Sequence, residues 1–172
     1  CDGKNPLLLA VRSGAIISLP GALSTVAHIG LNEDIVQKWA ETLDEPFRAY
    51  FAYVRFLFNY AESVLGISLD CFLKQIGISH VIDLLSEDVE VMKAHVLRIK
   101  NAVSVLAPGR SIPDDGYQQL HFSIIAVFQS YGNERIQSLL KAKQLPEGFQ
   151  SACLIQECLP VRSSHDCSGV YL

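Results

Sequence analysis

Charge is scarce in this chain of 172 residues: Asp, Glu, Lys and Arg together make up 19% of it. The 14 basic residues fall short of the 18 acidic ones, for a formal net charge of −4. Without a basic surplus there is no patch to neutralise a phosphate backbone, so nucleic acid is not an expected partner. Five cysteines are too few for a small disulfide scaffold. Internal repeats and low-complexity tracts are absent. So are the compact signatures of chemistry: no GxGxxG or GxxxxGK phosphate loop, no GxSxG elbow and no HExxH pair. No cofactor and no metal is therefore expected, and no set of residues specifies a reaction class, which leans against an enzyme.

Methionine is nearly missing too. The one methionine is Met92, and residue 1 is Cys. The expectation drawn from this is a processed start, slightly favouring an exported or organellar protein, with a lipoprotein Cys1 as one form and an arbitrary boundary as the other.

What the chain has is apolar residues, 49% of the total. That composition excludes intrinsic disorder, and the length suits one domain. Residues 13–32 carry no formal charge, yet Gly14, Pro20, Gly21 and Gly30 interrupt them. A proline removes a helical hydrogen bond, so a buried segment in two pieces is expected rather than a membrane span. Membrane contact through residues 6–31 or a lipidated Cys1 stays open.

Seven helical segments follow. Asn32 can cap a helix over 33–43 with Ile35, Trp39 and Leu43 inward. Residues 47–65 hold seven of the fifteen aromatics and two apolar seams, leaving a narrow polar stripe of Arg48, Arg55, Asn59 and Glu62. A helix apolar on most of its circumference is buried on most sides, so this is the expected central helix. Short helices are expected at 68–76 and from Ser79. Val89, Met92, Val96, Ile99, Val103 and Leu106 form a heptad-like seam on a helix of about twenty residues. Tyr117, Leu120, Ile124, Phe128 and Tyr131 keep helical spacing after the loop 107–116, with a strand over 122–128 as the rival. Residues 133–145 are a last amphipathic helix.

The expected fold is thus an all-α bundle: a helical domain over 1–145 and an irregular tail, 146–172, packed on it or extending from it. Three cysteines lie in that tail. Cys153, Cys158 and Cys167 are disulfide candidates in an oxidising compartment and free thiols otherwise. With His165 their spacing matches no usual zinc pattern. Cys71 reads as a small buried hydrophobe. The five histidines are scattered, and Asp114-Asp115 reads as a helix cap.

The ring-rich helix supplies the candidate site. Most of its aromatics are expected in the core, while Phe47, Tyr50, Phe51, Tyr53 and Phe58 are candidates for a pocket wall. Arg48 and Arg55, seven apart on one face, are candidates to clamp a carboxylate. The functional expectation is a non-enzymatic interaction or structural subunit, with a protein partner or a second copy covering an apolar face. The alternatives are a carrier of a hydrophobic small molecule or lipid, and a secreted helical-bundle signalling protein.

Overall fold

The computed structural model describes residues 4–14, 25–144 and 152–159. Among them, six α-helices accompany a three-stranded antiparallel sheet. The order is β1 (Leu9–Gly14), β2 (Thr25–Ile29), α1 (Glu33–Ala40), α2 (Phe47–Ser63) and α3 (Leu69–Ile76). A 3-10 turn at Val81–Leu84, α4 (Val89–Leu106), α5 (Gly116–Ser130), α6 (Glu134–Ala142) and β3 (Ala152–Glu157) complete it. The fold is mixed α/β, which corrects the expectation of an all-α bundle. Six of the seven expected helical segments stand where their periodicity puts them, the short one expected from Ser79 is only a 3-10 turn, and the three strands are the addition.

β1 is the central strand, flanked by β2 and β3. β3 runs antiparallel to β1 from Leu9↔Glu157 to Gly14↔Ala152, so part of the segment expected to be an irregular tail is a paired strand. On the other side the register slips. Leu9 faces Ile29 but Val11 faces Val26, so β2 carries one residue more than β1 there. The extra residue is absorbed near His28, whose φ of 61° is left-handed. That bulge places the buried Val26 and Ile29 three residues apart rather than two, and removes the period-2 pattern that announces a strand.

Most helix ends follow their sequence signals. The Asn32 side chain accepts from the Ile35 amide at 2.8 Å and starts α1. Asp88 accepts from Glu90 at 2.8 Å and Asp115 from Gln118 at 2.8 Å, each offsetting an orphan N–H. Arg110 closes the far end of α2, donating to the Leu65 carbonyl at 3.0 Å and to that of Val64 at 2.8 Å.

The core is built around α2, which packs against β2, α1, α4 and α5. Its Tyr53, Phe56 and Tyr60 are buried and follow one another as a ring ladder, with centroids 6.3 Å and 5.6 Å apart. Phe58 meets Phe72 of α3 edge to face at 4.7 Å. α5 lies over all three strands. Its expected inward seam holds at Leu120 and Ile124, which pack against the core, and at the buried Tyr131, but not at Tyr117 and Phe128, which are exposed; Gln119, Ser123, Ala126 and Val127 are buried instead. The cause is polar. Gln119 accepts from the Gly30 amide at 2.8 Å and donates to the carbonyls of Leu31 at 2.9 Å and Pro113 at 2.7 Å. Three hydrogen bonds, one buried and two half-buried, hold that side of the helix inward. No helix among the described residues is long and apolar enough to cross a membrane.

Candidate functional site

The candidate residues of α2 part into three groups. Phe58 is core, packed edge to face on Phe72, and lines neither of the two grooves beside α2. Tyr50 and Tyr53 turn toward α1 and α4. With Glu33, Gln37, Lys93, Val96 and Leu97 they line a groove of about 270 Å³. Phe47, Arg48 and Phe51 turn the other way and, with Leu85, Ser86, Glu87 and Met92, line a groove of about 410 Å³. The expected single pocket wall is therefore two walls on opposite sides of one helix.

The groove of Tyr50 and Tyr53 is electrostatically satisfied. Lys100 pairs with Glu33 at 2.6 Å across 67 residues, and Lys93 pairs with Glu90 at 2.7 Å. Burial pushes both tyrosine hydroxyls above their ordinary range, partly offset by the neighbouring lysines. Burial, the largest single effect, pulls Lys100 down, but its bond to Glu33 together with the charges of Tyr53, Glu33 and Asp114 outweighs it and leaves its pKa raised. Two cations already matched by two carboxylates leave little attraction for a further anion.

The opposite side of α2 differs. Arg48 is held by Glu45 at 2.6 Å and lies over the Phe47 ring at 5.5 Å. Arg55, two turns on, lies over the Phe51 ring at 5.8 Å, and none of the ion pairs among the described residues uses it. A guanidinium stacked on a ring keeps its donor fork free for a planar anion. His28 of β2 is its neighbour. Burial first, and the Arg55 charge second, push the His28 pKa down to about 4, so the imidazole is neutral near pH 7. Its Nδ1 is buried without a hydrogen-bond partner. His28 thus combines a left-handed non-glycine backbone, an unpaired ring nitrogen and a neighbouring cation free of ion pairs among the described residues. No sequence signal marks His28, because a lone histidine in an uncharged stretch belongs to no periodic pattern or motif.

A third groove, about 420 Å³, lies where β1 and β2 meet the start of α5. Leu9, Ile29, Ile35 and Leu120 form its apolar lining, and Asp114 and Asp115 stand on its rim. Asp115 is committed to capping α5, as expected for that pair.

Cys153 and Cys158 carry free thiols, and burial raises the pKa of Cys153. Cys71 is also free and is exposed, whereas its neighbour Phe72 is buried, so the buried-hydrophobe reading fails at Cys71. Cys1, Pro20-Gly21, His165 and Cys167 lie outside the described residues. Among the described residues no group of three or more His, Cys, Asp or Glu is placed to hold a metal ion.

No protein-family model matches the chain. Curated proteins do. The chain is 35% identical over 172 residues to "Pyruvate, phosphate dikinase 2" of Oryza sativa subsp. japonica, a match covering 98% of this chain and 19% of that protein. It is 31% identical to "Pyruvate, phosphate dikinase" of Giardia intestinalis, over 90% of this chain and 18% of that one. To the chloroplastic pyruvate, phosphate dikinase of Flaveria trinervia it is 38% identical over 151 residues, 84% of this chain and 15% of that protein. The chain thus spans less than a fifth of the length of the relatives it matches. These relatives are enzymes. That overturns the expected non-enzymatic interaction subunit and its two alternatives, the hydrophobic carrier and the secreted signalling bundle, and it removes the support for a lean against catalysis.

Proposed function

We propose that the chain is a unit of a phosphoryl-transfer enzyme of the pyruvate, phosphate dikinase kind, and that it meets an anionic reactant at Arg55. The 35% identity running along 98% of the chain is the observation that carries this reading. Pyruvate and phosphate, the two reactants in that name, are both anions. Phosphoryl transfer is catalysed chiefly by positioned positive charge and by orientation, with little covalent work for the protein. Arg55 fits that role, because its guanidinium is unpaired by carboxylate and steadied on the Phe51 ring. Bidentate bonds from a guanidinium suit both a carboxylate and a phosphate. His28, neutral beside it, adds a hydrogen-bonding nitrogen without a competing charge. Arg48, tied to Glu45, is a weaker candidate for the same anion.

Transplantation tests the reading. The 172 residues replace the matched segment in the Oryza sativa enzyme, and dikinase turnover is measured. Turnover within about tenfold of the parent supports the proposal. A folded chimera without turnover overturns it. In an active chimera, Arg55→Gln is expected to lower kcat/KM at least tenfold, with Arg55→Lys intermediate and the melting temperature unchanged. Full activity in Arg55→Gln removes Arg55 from the role.

A further inference from the structure

α5 carries large apolar side chains on both of its sides. The inward side holds the buried Gln119, Ser123, Ala126 and Val127, with Leu120 and Ile124 packed against the core beside them. The opposite side exposes Tyr117 at 85%, Phe122 at 43%, Phe128 at 39% and Ile125 at 37%. At 100° per residue these four fall within one arc of about 140°. The residues between them are His121 and two glutamines, and α5 carries no Asp, Glu, Lys or Arg at all. α4 also exposes Val91, Leu97 and Val105, but Glu90, Lys93 and Lys100 stand among them, as on an ordinary solvated face. An apolar-rich face without charge marks a surface that is covered in the working protein.

We propose that this face of α5 is an internal packing surface, covered by further polypeptide of the same enzyme. The proposal rests on the functional reading above. Its occupant follows from length: in each of the three relatives named, the matched segment is embedded in a polypeptide at least about five times longer. The two-sided apolar character of α5 agrees with that setting. A helix between two layers needs apolar residues on both sides, and here Leu120, Ile124 and Val127 face inward beside the Gln119 hydrogen bonds while Tyr117, Phe122, Ile125 and Phe128 face outward. The covering surface is therefore apolar and uncharged. A charged surface would meet no counter-charge on α5 and would lose its own hydration.

Hydroxyl-radical footprinting reads side-chain exposure directly. Tyr117, Phe122 and Phe128 are labelled in the purified 172-residue chain and in the Oryza sativa chimera. Labelling in the chimera is expected to fall at least fivefold at all three, while exposed Tyr and Phe residues elsewhere on the chimera stay fast. Equal labelling in the two proteins overturns the proposal. Protection in the isolated chain that disappears on dilution assigns the face to a second copy and overturns it as well. Activity is not the readout, so an inactive chimera with a protected face refutes the functional reading alone. The triple variant F122Q/I125Q/F128Q is a second check. It is expected to leave the melting temperature of the isolated chain within about 2 °C and to lower that of the chimera by more than about 5 °C.

Discussion

Gln119 and Gly30 stand 89 residues apart and are joined by one hydrogen bond of 2.8 Å, from the Gly30 amide to Gln119 Oε1. The same side chain donates to Leu31 and Pro113, so one primary amide ties the end of β2 to the loop before α5. Only an amide has both an acceptor and two donors on one planar head. Gln119→Leu keeps the bulk and strands one N–H and two carbonyls. Each orphaned group costs about 1–3 kcal/mol, and partial rehydration brings the expected total to about 2–4 kcal/mol. Urea unfolding with an unchanged m-value checks this. A loss below about 1 kcal/mol shows that water replaces the amide.

Gly30 is fixed by two constraints at once. Its φ is +109°, and a Cβ there would lie 2.8 Å from the Leu7 carbonyl oxygen. Gly66 shares the positive φ, at +71°, but has nothing within 4 Å of its Cβ position. Gly66→Ala therefore meets only the left-handed penalty of about 1–2 kcal/mol. Gly30→Ala adds a clash with backbone and is expected to cost at least about 2 kcal/mol more. Paired melting curves test the order; equal losses refute the steric account.

His28 gives the fold a pH dependence of known sign. Its folded pKa is about 4, below the ordinary 6.5. Between those values the unfolded chain binds the proton and the folded chain does not. Stability thus rises with pH across this window and is lost as pH falls from about 6.5 to about 4. At about 1.4 kcal/mol per unit the loss approaches about 3 kcal/mol. His95 is lowered as well, first by burial and then by Arg98, and contributes in the same direction. His28→Asn keeps a residue that tolerates left-handed backbone and removes the proton site. The variant is expected to flatten most of the slope in chemical unfolding between about pH 4 and 6.5, with His95→Gln as the comparison. An unchanged slope in His28→Asn assigns the effect elsewhere.

The helices are legible in the sequence because their signals are local. Asn32, Asp115 and the 3–4 spacing of apolar residues act within a turn or two, and the structure keeps them. The strands are not, because sheet pairing is a long-range agreement. β3 is chosen by its match to β1, some 140 residues away, and the bulge at His28 erases the alternation of β2. The candidate site is half legible. Ring density marks α2, but periodicity alone does not say that Tyr53 faces one groove, Phe51 another and Phe58 neither. α5 keeps Leu120, Ile124 and Tyr131 of its apolar seam inward but turns Tyr117 and Phe128 out, with the hydrogen bonds of the buried Gln119 helping to set which side faces in. His28 is silent in the sequence, since its importance lies in a backbone angle and a neighbour that no spacing rule encodes.

Arg110 is the remaining lever on α2. Its two terminal nitrogens reach the Leu65 and Val64 carbonyls, 45 and 46 residues earlier in the chain, at the negative end of the helix dipole. It thereby pins the helix that carries Arg55 to the loop following α4. Arg110→Met keeps the apolar stem, loses both bonds and the charge, and is expected to cost about 1–3 kcal/mol. Arg110→Lys keeps the charge, but a single ammonium cannot fork to both carbonyls with the same geometry, so about half of the loss is expected. Amide hydrogen exchange separates this local effect from general destabilisation. Residues 60–67 are expected to exchange at least tenfold faster in Arg110→Met under native conditions, with the amides of α1 unchanged. Uniform acceleration across α1 and α2 means that the clamp supports the whole core rather than the end of one helix.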